Sequence, residues 1–255
     1  MAAFPLMLPG TSRPPKLVVF DLDHTLIACD ATILWTEFLY EKKIVTDPIW
    51  RQYDRDMVKS YAKGVLDIRD FCRKHAGAFR SIPEEKLHAL AQEFAKKKIA
   101  PLIFPDGKKW AKNGLQANIP ACVLSASAAF IVKPIAKLFG LTDAMGIELA
   151  FKDGFCTGEI VGIPTFQEGK VERLSQRLAE AGIGFEDVLF FTDSRNDLPL
   201  AERAGYTVCV NPDAVLESAA RKNGWKVAEW KLSLRTQMTA QVDAKGVPET
   251  QTVRS

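Results

Sequence analysis

Asp21 and Asp23 stand two apart in the stretch FDLDHT, and Thr25 follows two further on. Asp193 and Asp197 stand in DSRNDLPL, with Ser125 and Lys170 between the two acidic stretches. Two carboxylates so spaced at a strand end reach one small site once the chain turns out of strand geometry. A carboxylate can act as a nucleophile, as in aspartyl-phosphate chemistry. A second one beside it can protonate a leaving oxygen and later deprotonate water. Asp21 suits the first role and Asp23 the second. Three carboxylates brought together repel one another unless a cation neutralises them. Hard oxygen ligands favour Mg²⁺, which keeps waters and pairs with substrate phosphate. Lys170, a point positive charge, and Ser125, a hydroxyl donor, would then bind phosphoryl oxygens as charge develops.

That chemistry requires distant stretches to converge, and the apolar pattern predicts the frame. Leu17 to Phe20 (LVVF) is a short apolar run ending at Asp21, the mark of a buried parallel strand. Similar runs end at Ser125 (from Ala121), at Thr192-Asp193 (from Val188) and at Asn211-Pro212 (from Thr207). Helical patterns lie between them: Phe130 to Phe139 stopping at Gly140, Val171 to Ala181 stopping at Gly182, and Leu198 to Ala204 stopping at Gly205. Strand alternating with helix predicts an α/β fold with a doubly wound parallel sheet and right-handed crossovers. Ligands of such sheets bind beyond the C-terminal strand ends, where the polar clusters fall.

Residues 31–98 break the rhythm. Four helical stretches appear there instead: Ala31–Lys43, Pro48–Lys63, Leu66–Phe79 and Pro83–Lys98. Pro48 and Pro83 suit first turns, and Asp67 and Ser81 are candidate caps. The segment reads as a helical insert, leaving 1–30 and 99–255 to the α/β core, with 1–15 and 231–255 expected to be loose. Glu148 to Val161 alternates around Lys152-Asp153-Gly154 and predicts a β-hairpin.

Composition bounds the rest. In 255 residues, 34 Lys plus Arg against 31 Asp plus Glu leave a net charge of 34 − 31 = +3, too small an excess to argue for nucleic acid. Hydrophobic residues make up 47% and charged ones 25%, which excludes bulk disorder. No apolar run reaches the ~20 residues of a spanning helix, so no membrane partner is expected. The five cysteines show no C-x-x-C pair and predict neither zinc nor a disulfide framework. The N-terminus MAAFPLMLPGTSRPPK is a poor signal peptide, which makes the cytoplasm the default expectation. Nothing in the pattern sets the oligomeric state.

The stretches FDLDHTLIACD, VLSAS, EGKVERL and DSRNDLPL, in this order, resemble the four motifs of the haloacid dehalogenase superfamily of phosphatases. The insert between the first two is similar to the helical cap of the phosphoserine-phosphatase-like branch. The resemblance spans about residues 17 to 230. It implies that Asp21 is the nucleophile and Asp23 the general acid/base. It implies that Thr25 and Ser125 bind phosphoryl oxygens or orient the nucleophile, and that Lys170 holds both nucleophile and phosphoryl group. Asp193 would ligate Mg²⁺ with Asp21 and the backbone carbonyl of Asp23, and Asp197 would hold a metal water or the metal itself. A carboxylate at Asp23 favours phosphate-ester hydrolysis over dehalogenation or ion transport. Two departures stand out. His24 replaces the usual small residue, and Ala126-Ser127 stands where many phosphoserine phosphatases carry two glycines.

Several residues admit two readings. Asp30 is either a helix N-cap or, by the resemblance, the partner of a substrate amino group. Arg51, Arg55, Lys59 and Lys63 recur every four residues as a solvated row paired with Asp54 and Asp56; otherwise one of them, or Arg69, meets an anionic part of the substrate. His24 either packs neutrally or tunes the site, and Asn196 in the fourth motif is a further substrate candidate. His75 and His88 are expected at the surface, Lys96-Lys97-Lys98 at a solvated helix end, and Trp35, Phe38, Leu39 and Tyr40 in the packing of the insert. The expected activity is Mg²⁺-dependent hydrolysis of a small phosphorylated metabolite, phosphoserine-like or histidinol-phosphate-like, through an aspartyl-phosphate. The alternatives are a phosphoryl-accepting signalling module of receiver type and a non-catalytic phosphate-binding protein.

Overall fold

The computed structural model describes residues 14–233. Most of the segments expected to be loose, 1–13 and 234–255, lie outside the described residues. Six parallel strands form the central sheet in the order β3-β2-β1-β6-β7-β8: β1 Leu17–Phe20, β2 Ala121–Ala128, β3 Asp143–Ile147, β6 Val188–Thr192, β7 Tyr206–Val210 and β8 Lys226–Ala228. The chain leaves β1 towards β2 on one side and returns to β6 on the other. This reversal opens a crevice at the C-terminal end of β1, the place where such sheets bind ligands.

β1 is buried at all four positions. Its alternate residues serve opposite faces: Val18 and Phe20 join the larger core, Leu17 and Val19 the smaller one. The smaller core packs α7 (Glu168–Ala181) and α8 (Leu198–Ala201) against the sheet through Leu174, Leu178 and Leu200. α5 (Pro105–Gln116) and α6 (Ala129–Ala136) lie with the larger core, and α9 (Ala214–Asn223) packs on β7 and β8. Gly140 and Gly182 end helical runs in left-handed conformation, as their positions predict.

Residues 31–98 hold no strand of the described sheets. Their helices are α1 Ala31–Glu41, α2 Ile49–Ala62, α3 Ile68–His75 and α4 Glu84–Phe94. Asp30 and Asp67 cap α1 and α3 by accepting two backbone amides each. Ser81 caps nothing: α4 starts after Pro83, with no side-chain cap bond. The expected helix to Lys98 widens at its end into a π-turn over Ala95–Ile99 and a 3₁₀ turn over Ala100–Leu102. Trp35 of α1 meets Phe94 of α4 at 5.4 Å and Phe130 of α6 at 5.6 Å, ring centre to ring centre. α1 and α4 therefore share the larger core with the sheet, whereas α2 and α3 extend over its strand ends.

The predicted hairpin is β4 (Leu149–Lys152) and β5 (Phe155–Ile160), antiparallel. Asp153 and Gly154 both take positive φ (53° and 81°), the turn that matches strand twist. The hairpin packs on α3, where Gly158 comes so close that a Cβ would lie 2.9 Å from the Cys72 carbonyl oxygen.

Three further expectations need correction. The second strand does not stop before Ser125: it continues to Ala128, because small residues hold extended backbone beside β3 without a hydrophobic signature. His75 is not at the surface but buried, ring-stacked on Phe71 at 5.0 Å. Asp54 is buried on the inner side of α2 rather than paired in the solvated row. The remainder of that row does face solvent: Arg51 forks onto Glu37 at 2.7 Å, Arg55 bonds Gln52, and Lys59 lies 3.6 Å from Asp56.

Candidate active site

The clusters Asp21–Thr25, Ser125–Ser127 and Asp193–Asp197 follow or end β1, β2 and β6, neighbours in the sheet, and Lys170 comes in on the first turn of α7. Gly169 allows that entry: a Cβ there would lie 1.9 Å from the Pro164 carbonyl oxygen. Lys170 is 1% exposed, and its Nζ donates to Asp21 Oδ1 at 2.6 Å and to Asp197 Oδ2 at 2.8 Å. Burial works against the ammonium, but the charges of Asp197 and Asp21 outweigh it and raise its pKa. Thr192 also donates to Asp197, at 2.7 Å. Asp197 is thus turned to Lys170 and Thr192.

Asp21 is buried, and burial pushes its carboxyl up to about 7 against the pull of Lys170. Asp193 is pushed well up by burial and by the charges of Asp21 and Asp197. Thr25 Oγ1 donates to Asp193 Oδ1 at 3.2 Å. Asp23 is held by the Ala31 amide at 2.6 Å, Ser127 Oγ at 2.8 Å and Ser125 Oγ at 3.3 Å. Burial, then the charge of Asp30, raises it to about 6, while the Ala31 and Ser127 bonds pull the other way.

Asp21, Asp23, Asp30 and Asp193 face one cavity of about 190 Å³. Its opposite wall is Met57, Val58 and Tyr61 of α2 with Leu66, Ile68 and Phe71 in and before α3. His24, at φ 56°, lines the cavity too. Asp30 combines both of its readings: Oδ1 caps α1, accepting from Thr32 and Ile33, and the residue lines the cavity.

The other substrate candidates lie elsewhere. Arg55 and Arg69 are exposed and do not line the cavity. Asn196 is buried and faces α2: it donates to the Tyr61 carbonyl at 3.0 Å and accepts from Gln167 at 3.1 Å. Gln167 also donates to the Gly64 carbonyl at 3.2 Å, so the two loops that present Lys170 and Asp197 grip the end of α2.

Sequence reasoning passed over Ser127, Tyr61, Met57 and Phe71. Ser127 had a signal: in S-A-S on a strand, both serines fall on one face, so a bond from Ser125 to Asp23 brings Ser127 as well. Tyr61 and Met57 occupy the side of α2 away from the basic row, at the spacing of four that marks one face.

The donor set suits Mg²⁺. Among the described residues Asp21 and Asp193 each keep one oxygen without a protein donor, and burial raises the pKa of both. Among the described residues no three His, Cys, Asp or Glu side chains gather as a ligand set. Two carboxylates with waters are what this hard cation takes beside a phosphate.

Comparison with known proteins agrees with this architecture. A family model for haloacid dehalogenase-like hydrolases matches residues 18–202. A histidinol-phosphatase of Neisseria meningitidis is 35% identical over 220 residues, 85% of this chain and 99% of the relative. A probable phosphatase of Mycobacterium tuberculosis is 29% identical over 92% of this chain and 84% of its own. The crystal structure of a Bordetella pertussis protein of unknown function superposes with a TM-score of 0.76 at 31% identity, over 84% of this chain and 97% of that one. A substrate-bound phosphoserine phosphatase shares the fold, with a TM-score of 0.64 at 21% identity over 90% of this chain and 99% of that one. No described helix is long and apolar enough to cross a membrane. With four motif stretches around one crevice and a family match across most of its length, the chain belongs to the haloacid dehalogenase-like hydrolase family.

Proposed function

We propose that the chain is a Mg²⁺-dependent phosphatase that hydrolyses a small phosphomonoester through an aspartyl-phosphate on Asp21. The observation that carries this reading is Lys170, buried between Asp21 and Asp197, with Asp21 facing the same cavity as Asp23. The relatives' names, a histidinol-phosphatase among them, support the reaction class. A receiver-type phosphoryl acceptor would have no use for the acid/base that Asp23 supplies.

Asp21 attacks phosphorus through a carboxylate oxygen, and the bond from phosphorus to the ester oxygen breaks. Lys170 spans nucleophile and phosphoryl oxygens, offsetting the charge that develops there. Asp23, raised towards neutrality by its burial, enters protonated and gives that proton to the leaving alkoxide. It then takes a proton from the water that attacks the aspartyl-phosphate, and inorganic phosphate leaves. Mg²⁺ would be held by Asp21, Asp193 and the Asp23 carbonyl and would neutralise phosphoryl charge, while Asp197 is engaged by Lys170 and Thr192. Thr25 keeps Asp193 in place and Ser125 helps hold Asp23. Residues 31–98 act as a cap: their α2–α3 wall closes the cavity against water. Asp30, inside the cavity beside the Asp23 carboxylate, is placed for a substrate amine, which favours a phosphorylated amino alcohol.

The test is turnover of p-nitrophenyl phosphate. Many phosphates per chain are expected with Mg²⁺ and almost none in excess EDTA. Asp21→Asn is expected to lower kcat by about a thousandfold or more. Full activity in that variant would remove Asp21 as the nucleophile. One phosphate per chain would point to the receiver.

A further inference from the structure

Resting on the phosphatase reading, we infer that the cavity selects a phosphorylated amine that carries a flat ring and no carboxylate. The ionisable groups that line it are Asp21, Asp23, Asp30, Asp193, His24 and Tyr61; among the described residues no Lys or Arg does so. Lys170 Nζ sits between Asp21 and Asp197, so its charge belongs to the nucleophile and phosphoryl end of the site. The insert's cations face outward: Arg51 on Glu37, Arg55 on Gln52, Lys59 near Asp56, and Arg69 exposed.

Mg²⁺ and Lys170 would be taken up by Asp21, Asp193, Asp197 and the phosphoryl group, which leaves Asp30 without a cation. Asp30 Oδ1 is taken by two amides of α1, and no described donor bonds Oδ2. An ammonium at Oδ2 satisfies it. A carboxylate on the same substrate carbon would enter a half-buried negative region with no guanidinium or ammonium to meet it, which is a penalty rather than a contact.

The far wall is apolar and aromatic: Ile33, Met57, Leu66, Ile68 and Phe71. A second, smaller cavity of about 20 Å³, room for one water, shares Thr32, Phe71 and Ala126 with the first and is lined by His75. The wall therefore offers a ring an apolar surface that includes Phe71, itself stacked on His75 at 5.0 Å, with a small and mainly apolar recess beside it that Thr32 and His75 also line. A bare alkyl amine leaves this wall unfilled.

The inference is tested by kcat/KM with Mg²⁺ on p-nitrophenyl phosphate, O-phosphoethanolamine, phosphoserine and histidinol phosphate. Phosphoethanolamine and phosphoserine differ only in the carboxylate. Phosphoethanolamine is expected to exceed phosphoserine by about tenfold or more, and histidinol phosphate to exceed phosphoethanolamine by a further factor of about ten. Val58→Arg supplies the missing cation at a cavity residue that is 42% exposed, where a guanidinium stays hydrated. It is expected to raise the phosphoserine to phosphoethanolamine ratio by about fivefold or more. Phosphoserine equal to or ahead of phosphoethanolamine in the wild type overturns the inference and leaves the phosphatase reading standing. Histidinol phosphate no better than phosphoethanolamine, or a ratio unmoved by Val58→Arg, does the same. No turnover of any ester, p-nitrophenyl phosphate included, overturns the phosphatase reading and this inference with it.

Discussion

Ser127 binds Asp23 more closely than the motif serine does, 2.8 Å against 3.3 Å, and it is the bond that lowers the Asp23 pKa among the hydroxyls. Ser127→Ala removes a hydroxyl donor from an ionising carboxylate. It is expected to lower kcat on p-nitrophenyl phosphate by about tenfold, the size of one hydrogen bond to a charged group. An unchanged kcat would assign the holding of Asp23 to the Ala31 amide and Ser125. Asp54 and His75 belong to this scale as well. Among the described residues neither Asp54 carboxylate oxygen has a hydrogen-bond donor, and His75 Nε2 sits 3.0 Å from Thr36 Oγ1 and 3.6 Å from Asp54. Burial moves Asp54 from 3.8 up to about 7 and His75 from 6.5 down to about 4. The folded state therefore holds the Asp54 proton longer than the unfolded chain does. Its contribution to stability is complete below 3.8 and is lost as pH rises through about 7. His75 runs the other way: its contribution is present above 6.5 and lost as pH falls through about 4. The two oppose each other over the acid range, and above 6.5 only the Asp54 loss continues. Asp54→Asn cannot ionise, so its Tm is expected to gain on the wild type between about pH 4 and about pH 7. A Tm difference that stays constant across that range would exclude buried charge as the cause.

At the scale of elements, strands and helices were legible wherever an apolar period ran uninterrupted. β1 and the first residues of β2, β6 and β7 fell where LVVF-like runs predict. The end of β2 was not, because Ser125 to Ala128 carries no hydrophobic signature and its extension depends on pairing with β3. Helix periodicity located α2, but a row of cations every four residues says only that they share a face. Which face meets the cavity was decided by Met57 and Tyr61 packing inward. The end of α2 is also an anchor. Gln167 takes φ 48° and ψ −123°, an uncommon conformation for a residue with a Cβ, while donating to both Gly64 and Asn196. Gln167→Ala frees the α2 wall from the loop that carries Lys170. KM is expected to rise by about tenfold, with the fold intact by circular dichroism. An unchanged KM would make the contact structural only.

On the scale of the whole molecule, the site exists only in the folded chain. Asp21 and Asp193 lie 172 positions apart in sequence (193 − 21) and face one cavity. A cation that needs both binds the native state and not the unfolded one, so it must stabilise. Mg²⁺ at a hundred times its Kd is expected to add about 2.7 kcal/mol, read as a rise in Tm. Asp193→Asn is expected to lose most of that rise. A wild-type Tm indifferent to Mg²⁺ would remove the metal from this site, whatever the activity. The sequence by itself determined the parallel α/β frame, the helical insert and the candidates for a reactive set, since local apolar period, residue type and the resemblance of the four motif stretches suffice for these. Only the tertiary structure decided that Asp197 serves Lys170, that Asn196 holds α2, that Arg55 and Arg69 stay outside, and that Asp54 and His75 are buried. The reason is physical: a side chain's type sets what chemistry it can do, but its partners and its exposure depend on packing between segments far apart in the chain.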